Sequence, residues 1–214
     1  MLKKKLEQRE KPELIAIIQH MLHQEPELQW LLMTALPTAS SRKSSLDPEV
    51  YRQQVLAAMA AGENQRKRKR GESERRLSAI KSIADEFATQ ENYAAALTIY
   101  EVLITAVIEH FNDYQDEYVA FCVILTGCID GLDSCFAGEA ADQEIHLRVL
   151  RTLFAIYRFY TDSGMDLDED IPGLLVGKTT STERRVIASW ARDALTHKGS
   201  ERYKALLAVL ERTN

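Results

Sequence analysis

Between positions 93 and 111 one apolar stripe consists of Tyr93, Ala96, Leu97, Tyr100, Leu103, Ile104, Val107, Ile108 and Phe111, and every step between them is three or one. That spacing gathers all nine on one side of an α-helix, whereas a strand, with its period of two, would scatter them over both faces. The same rhythm runs through Leu77, Ile80, Ile83, Ala84 and Phe87, through Ile145, Val149, Leu150, Leu153, Ile156, Tyr157 and Tyr160, and through Val186, Ile187, Trp190, Ala191 and Ala194. Tyr203, Leu206, Leu207 and Leu210 close the series. No proline occurs between positions 49 and 171, and only nine glycines occur in 214 residues, so the turn formers of an all-β chain are missing. The run Val119 to Leu125 has strand-like composition but no partner strand, and the segment 114–136 is apolar all round, which predicts a buried central helix. The expected fold is all-α: an antiparallel array of eight to ten helices, tetratricopeptide-like in part.

Boundaries follow from punctuation. Leu14, Ile17, Ile18, Met21 and Leu22 form one stripe, and Leu28, Leu31, Leu32, Ala35 and Leu36 form another after Pro26, predicting a helical hairpin over 1–36. A polar linker of Ser, Thr, Arg and Lys leads to Asp47-Pro48, an N-cap followed by proline at the first helical position. The segment 37–76 is expected to hold this linker, one helix and a basic stretch, with the main helical domain over 77–214.

Net charge is −5 and the pI is about 5.6. A protein that coats nucleic acid is usually basic overall, so any such contact here must be local. The local candidate is Arg66, Lys67, Arg68, Lys69, Arg70, Arg75 and Arg76, seven cations against Glu72 and Glu74. Such a run can neutralise phosphates, dock on an acidic protein surface, or serve as a solvated linker. No aromatic residue is interleaved with it for base stacking. Cys122, Cys128 and Cys135 are an odd number without zinc spacing, which predicts small core residues in a reducing cytoplasm. The basic N-terminus lacks the apolar stretch of a secretory signal, and no uninterrupted apolar run is long enough to predict a membrane span.

Several motifs come near a known chemistry and stop short. Pro172-Gly173-Leu174-Leu175-Val176-Gly177-Lys178-Thr179 approaches a phosphate-binding loop, but proline stands where the first glycine is needed and no strand precedes it. A helix end at Gly177 followed by an N-capping Thr or Ser is the expectation there. Asp166-Leu167-Asp168-Glu169-Asp170 opens like a calcium loop, yet Ile171 and Gly177 occupy the positions that require glycine and glutamate. His20 and His23 lie three apart on a helix, with Glu27 the only nearby acid, and are expected to be surface residues. Asp113, Asp116, Glu117 and Asp130 surround one apolar helix without a visible cleft. No catalytic residue, metal ligand or cofactor is expected.

The segment from Phe87 to Tyr100 looks like a tetratricopeptide turn and second helix, with small Ala96 allowing close approach and Tyr100 filling the gap one turn on. The wider order also carries a resemblance. A Leu-rich hairpin joined by Glu25-Pro26-Glu27-Leu28 is followed by Asp47-Pro48-Glu49-Val50-Tyr51-Arg52-Gln53-Gln54-Val55, the tetratricopeptide-like unit, and Glu183-Arg184-Arg185-Val186-Ile187-Ala188-Ser189-Trp190. This resembles the helical region that follows the zinc finger in bacterial SWIM zinc-finger family proteins. The SWIM finger needs a Cys-x-Cys pair and a Cys-x-His pair, and neither is present. The zinc site and its binding role therefore do not carry over. The resemblance implies a helical scaffold for protein–protein interaction: a non-catalytic adaptor with a protein partner. The alternative is a nucleic-acid-associated accessory subunit using residues 66–76. Aromatic candidates for the protein interface are Tyr51, Tyr100, Tyr114, Tyr118 and Trp190.

Overall fold

The computed structural model describes residues 2–24, 46–61, 71–136, 143–166, 171–198 and 200–212. The chain divides into two compact units, Met1–Leu36 and Pro37–Asn214. Among the described residues all regular structure is helical, ten α-helices with two 3₁₀ turns.

The first unit contains α1 (Leu2–Glu7) and α2 (Lys11–Gln24). Pro12 falls in the first turn of α2, where its missing N–H has no helical partner to lose. No residue of α2 is buried, and Ile15, Ile18 and Met21 are 45%, 40% and 51% exposed. The second helix expected for this unit, from Pro26 to Leu36, lies outside the described residues, as does the linker that follows.

The second unit begins with α3 (Pro48–Ala60), started as its sequence dictates: the Asp47 carboxylate accepts the Glu49 N–H at 3.0 Å and Pro48 opens the first turn. Helix α4 runs from Glu72 to Thr89, five residues earlier than the apolar rhythm alone suggests. Gly71 precedes it at φ 90°, a left-handed conformation that glycine adopts without Cβ strain. Buried Ser73 then donates to the Met59 carbonyl at 3.3 Å, tying α4 to the end of α3. The described part of 37–76 thus packs into the same unit as 77–214.

A tight turn leads from α4 to α5 (Tyr93–His110), with Glu91 at φ 60° and the Asn92 side chain accepting the Ala95 N–H. Helix α5 is the central element: it packs against α3, α4, α6 (Tyr118–Phe136) and α7 (Gln143–Ser163). Two 3₁₀ turns, Phe111–Asp113 and Gln115–Glu117, join α5 to α6. The central position expected for segment 114–136 therefore belongs to α5. Helix α6 buries one face but leaves Tyr118, Val119 and Val123 44%, 70% and 49% exposed, because among the described residues no helix covers the outer side of its first turns.

Residues Tyr93–Asp113 and Tyr118–Phe136 are long and apolar enough to cross a membrane by length and composition, although polar residues interrupt both stretches. In the structure 56% and 50% of these stretches are buried among neighbouring helices. Core helices of a helical body meet the same length and composition criteria. After α7, Gly164 turns the chain at φ 69°. Helices α8 (Ile171–Gly177), α9 (Ser181–Lys198) and α10 (Glu201–Arg212) complete the unit, with α9 and α10 packed together and α7 touching both α8 and α9.

Candidate functional site

Helix α7 has two surfaces. Val149, Leu150, Leu153, Ile156, Tyr157 and Tyr160 are buried. Arg151, Ala155 and Arg158, at steps of four and three, are exposed and line the outer ridge. On one side of that ridge, between α5 and α7, lies an apolar groove of about 620 Å³. Ile104, Thr105 and Ile108 come from α5, and Thr152, Ala155 and Phe159 from α7. Small side chains at Thr105 and Ala155 leave the space that longer ones would fill. On the other side, between α7 and α9, a smaller hollow of about 280 Å³ is lined by Phe154, Trp190 and Asp193. Arg151, Ala155 and Arg158 line both, so the two hollows meet at a saddle over Ala155.

The electrostatics of this site are asymmetric. The carboxylates of the larger groove are paired within the chain. Arg148 grips Glu101 at 2.6 and 3.1 Å and reaches Thr98. Hydrogen bonding to Glu101 raises the Arg148 pKa above its ordinary range, despite the opposing effect of burial. Arg52 donates to Glu109 at 3.0 Å, and Asp162 accepts from Tyr203 at 2.8 Å and from Arg158 at 3.5 Å. Asp193, at the far edge, is 3.9 Å from His197. Arg151 instead lies over the Trp190 ring, 5.9 Å from its centroid, with no carboxylate in salt-bridge range among the described residues.

Of the five aromatic interface candidates, only Trp190 borders these hollows, half-buried with its ring 5.6 Å from Phe154. Tyr51 and Tyr100 are 2% and 0% exposed and are corrected to core residues. An aromatic on the apolar stripe of a central helix is buried by that stripe. Burial pushes the Tyr51 phenol up to about 12. Tyr100 is raised further, first by burial and then by its 2.6 Å hydrogen bond to Asp85. Tyr114 is half-buried against Phe121, and exposed Tyr118 packs edge-on to Phe111 at 5.4 Å. Neither lines the groove. The sequence signal for the groove was Phe154 and Phe159 standing off the main stripe of α7, together with an alanine set between two arginines one turn away on either side.

Arg66, Lys67, Arg68, Lys69 and Arg70 lie outside the described residues. Arg75 and Arg76 belong to the first turns of α4, and both bind Glu72, at 2.8 and 2.7 Å. These bonds, with that from Arg75 foremost, hold the Glu72 carboxyl below its ordinary pKa against the effect of burial.

The near-motifs resolve into structural contacts. Lys178 pairs with Asp133 at 2.5 Å and lies 5.8 Å from the Phe136 ring centroid, while the Thr179 hydroxyl donates to the Leu175 carbonyl at 2.8 Å. Thr180 caps α9 reciprocally with Glu183: the Thr180 N–H donates to the carboxylate and the Glu183 N–H donates to the Thr180 hydroxyl. His146 meets the other oxygen of Glu183 at 2.5 Å. Asp166 accepts from Arg202 at 2.6 Å, and residues 167–170 are outside the described set. His20 is exposed beside Gln24, His23 is exposed, and Glu27 is undescribed. Asp113 binds His110 at 2.8 Å, while Asp116 and Asp130 are exposed and Glu117 is half-buried. Among the described residues no three His, Cys, Asp or Glu side chains are grouped to hold a metal. Cys128 and Cys135 are buried thiols pushed up to about 12 by that burial, and Cys122 is half-buried.

No known family, no characterised protein and no solved structure shows significant similarity to this chain. The SWIM resemblance finds no support in these comparisons.

Proposed function

We propose that this chain is a non-catalytic helical adaptor that holds a protein partner in the α5–α7–α9 surface. The observation that carries the reading is the apolar groove beside Ala155, whose carboxylates are already bound by arginines and a tyrosine of the same chain. A groove of several hundred Å³ with an apolar floor is a common form of recognition site, and helical scaffolds use such grooves to hold partner segments. The tetratricopeptide-like sequence pattern from Phe87 to Tyr100 suits the same reading.

A native pull-down with and without nuclease tests it, using wild type and Ala155→Trp, which fills the saddle from an exposed position. The expected result is a stoichiometric protein partner that survives nuclease and is lost with Ala155→Trp. Partners that vanish with nuclease, with RNA or DNA recovered, would overturn the adaptor reading and move function to residues 66–76.

A further inference from the structure

Resting on the adaptor reading, we infer that the saddle over Ala155 takes a helix of the partner protein that is apolar on one face and acidic on both flanks. The size follows from α7. Arg151 and Arg158 are seven residues apart, about 10 Å along the axis, which is close to the width of one helix with its side chains. Ala155 lies between them and is the small residue over which a second helix can pass closely. Crossing there, a helix meets Ile108 and Phe159 on one side of the ridge and Phe154 and Trp190 on the other.

The charge follows from what the neighbours have already used. Glu101 and Glu109 are neutralised by Arg148 and Arg52. Among the described residues the ion pair of Arg158 is a 3.5 Å contact with Asp162, and Asp162 is shared with Tyr203. Among the described residues Arg151 has no ion pair and lies over the Trp190 ring. Asp193, on α9 at the edge of the smaller hollow, is exposed and 3.9 Å from His197 and pairs with neither arginine. Two arginines one helix-width apart on the α7 ridge, one without an ion pair and one held at 3.5 Å among the described residues, favour an occupant with a carboxylate on each flank. A lysine-flanked helix would meet both cations and be repelled. Arginine also keeps its stem on apolar surface while its head bonds a carboxylate, which suits the edge of a groove.

The test uses the full chain carrying Trp30→Phe, so that Trp190 is its sole tryptophan reporter. Three synthetic amphipathic helical peptides share one apolar face and differ only at the flanks, which carry Glu, Gln or Lys. The expected result is a saturable Trp190 fluorescence change with the Glu peptide, about tenfold tighter than with the Gln peptide, and no binding by the Lys peptide. Arg151→Glu with Arg158→Glu should reverse that order, with a small fall in thermal midpoint because the Arg158–Asp162 pair and the Trp190 stack are lost while the helical fold is kept. Equal binding of all three peptides, or of none, overturns the inference. The pull-down separates this failure from failure of the adaptor reading. A partner lost with Ala155→Trp but kept by the double Glu variant leaves the adaptor and overturns the acidic helix. A partner insensitive to both variants overturns both.

Discussion

Helix α5 is packed in two different ways on its two sides. Toward α4 and α6 the helices close on one another through small residues. Ala96 is fully buried, and Gly131 of α6 lies directly against the Tyr100 ring. Toward α7 the pair is braced by a charged fork, Arg148 on Glu101, with Thr105 and Ala155 beside it, and a groove remains. Both sides are helix against helix with similar sequence rhythm. The residue at the point of closest approach separates them: glycine against an aromatic ring leaves no space, whereas short side chains beside a long ion pair leave a surface that can be occupied.

The strongest way to break this contrast is Gly131→Ala. The new Cβ would lie inside van der Waals distance of the Tyr100 Cζ and hydroxyl oxygen, with Cε1 at 2.7 Å. Tyr100 is 0% exposed and its hydroxyl is held by Asp85, so the ring has nowhere to move. A loss of about 3 kcal/mol or more is expected, the upper end for overpacking. Urea unfolding measures it. A loss below about 1 kcal/mol would show that α6 can slide, and that this side is not closed by close packing.

Next in size is Tyr100→Phe, which keeps the ring and removes the hydrogen bond to Asp85. Asp85 retains Lys81 at 2.9 Å, so the expected cost is about 1.5–2 kcal/mol, the lower part of the range for a bond to a charged group. The comparison sharpens if Arg148→Ala, which unpairs Glu101 at the groove edge, costs less in the same urea series.

Much of the closed side was legible in the sequence, and little of the open side was. The stripe from Tyr93 to Phe111 states its own helix, and Asp47-Pro48 states where α3 starts. The start of α4 was hidden because Glu72, Arg75 and Arg76 look like the end of a charged run until their mutual bonds are seen. Periodicity marks which face is apolar, but not what covers it. The stripe of α2 is amphipathic yet unburied, while Tyr51 and Tyr100, offered as surface, are covered on all sides. The groove depends on which residues of α5, α7 and α9 come together, a tertiary fact that one helix at a time does not carry. The T-x-x-E pattern of Thr180 and Glu183 was readable as a capping box, but its third member, His146, is 37 residues away.

Acid should strain both sides by a smaller amount. Glu72 starts α4 on the closed side and Glu183 starts α9 on the open side. Both titrate below the ordinary 4.5: Glu72 chiefly through Arg75, and Glu183 because the bonds from Thr180 and His146 outweigh the raising effect of burial. Each binds its proton more weakly folded than unfolded. Their stabilisation is therefore complete above about pH 4.5 and is lost as pH falls through the folded values. Thermal midpoints measured from pH 6 downward should fall below that point. Glu72→Gln should flatten the fall at a cost near 1 kcal/mol at neutral pH, and Glu183→Gln should cost less because glutamine still serves a capping box. Identical pH profiles for both variants and wild type would show that these carboxylates do not couple to folding.

The smallest effect is expected four residues from the largest, at Gly127→Ala. There the added Cβ meets the Lys81 side chain, Cε at 2.8 Å and Cδ at 3.4 Å, and a lysine tail can shift by a rotamer change. Alanine in a helix interior gains about 0.5–1 kcal/mol over glycine, which offsets a slight displacement of the Lys81–Asp85 pair. The net change should lie within about 0.5 kcal/mol of zero, against about 3 kcal/mol for the same substitution one turn along the helix. If Gly127→Ala instead costs as much as Gly131→Ala, the ion pair on α4 holds α6 at this distance and the Tyr100 contact is incidental. The closed side would then be braced by charge, as the open side is, and close packing alone would not explain why only one of them keeps a groove.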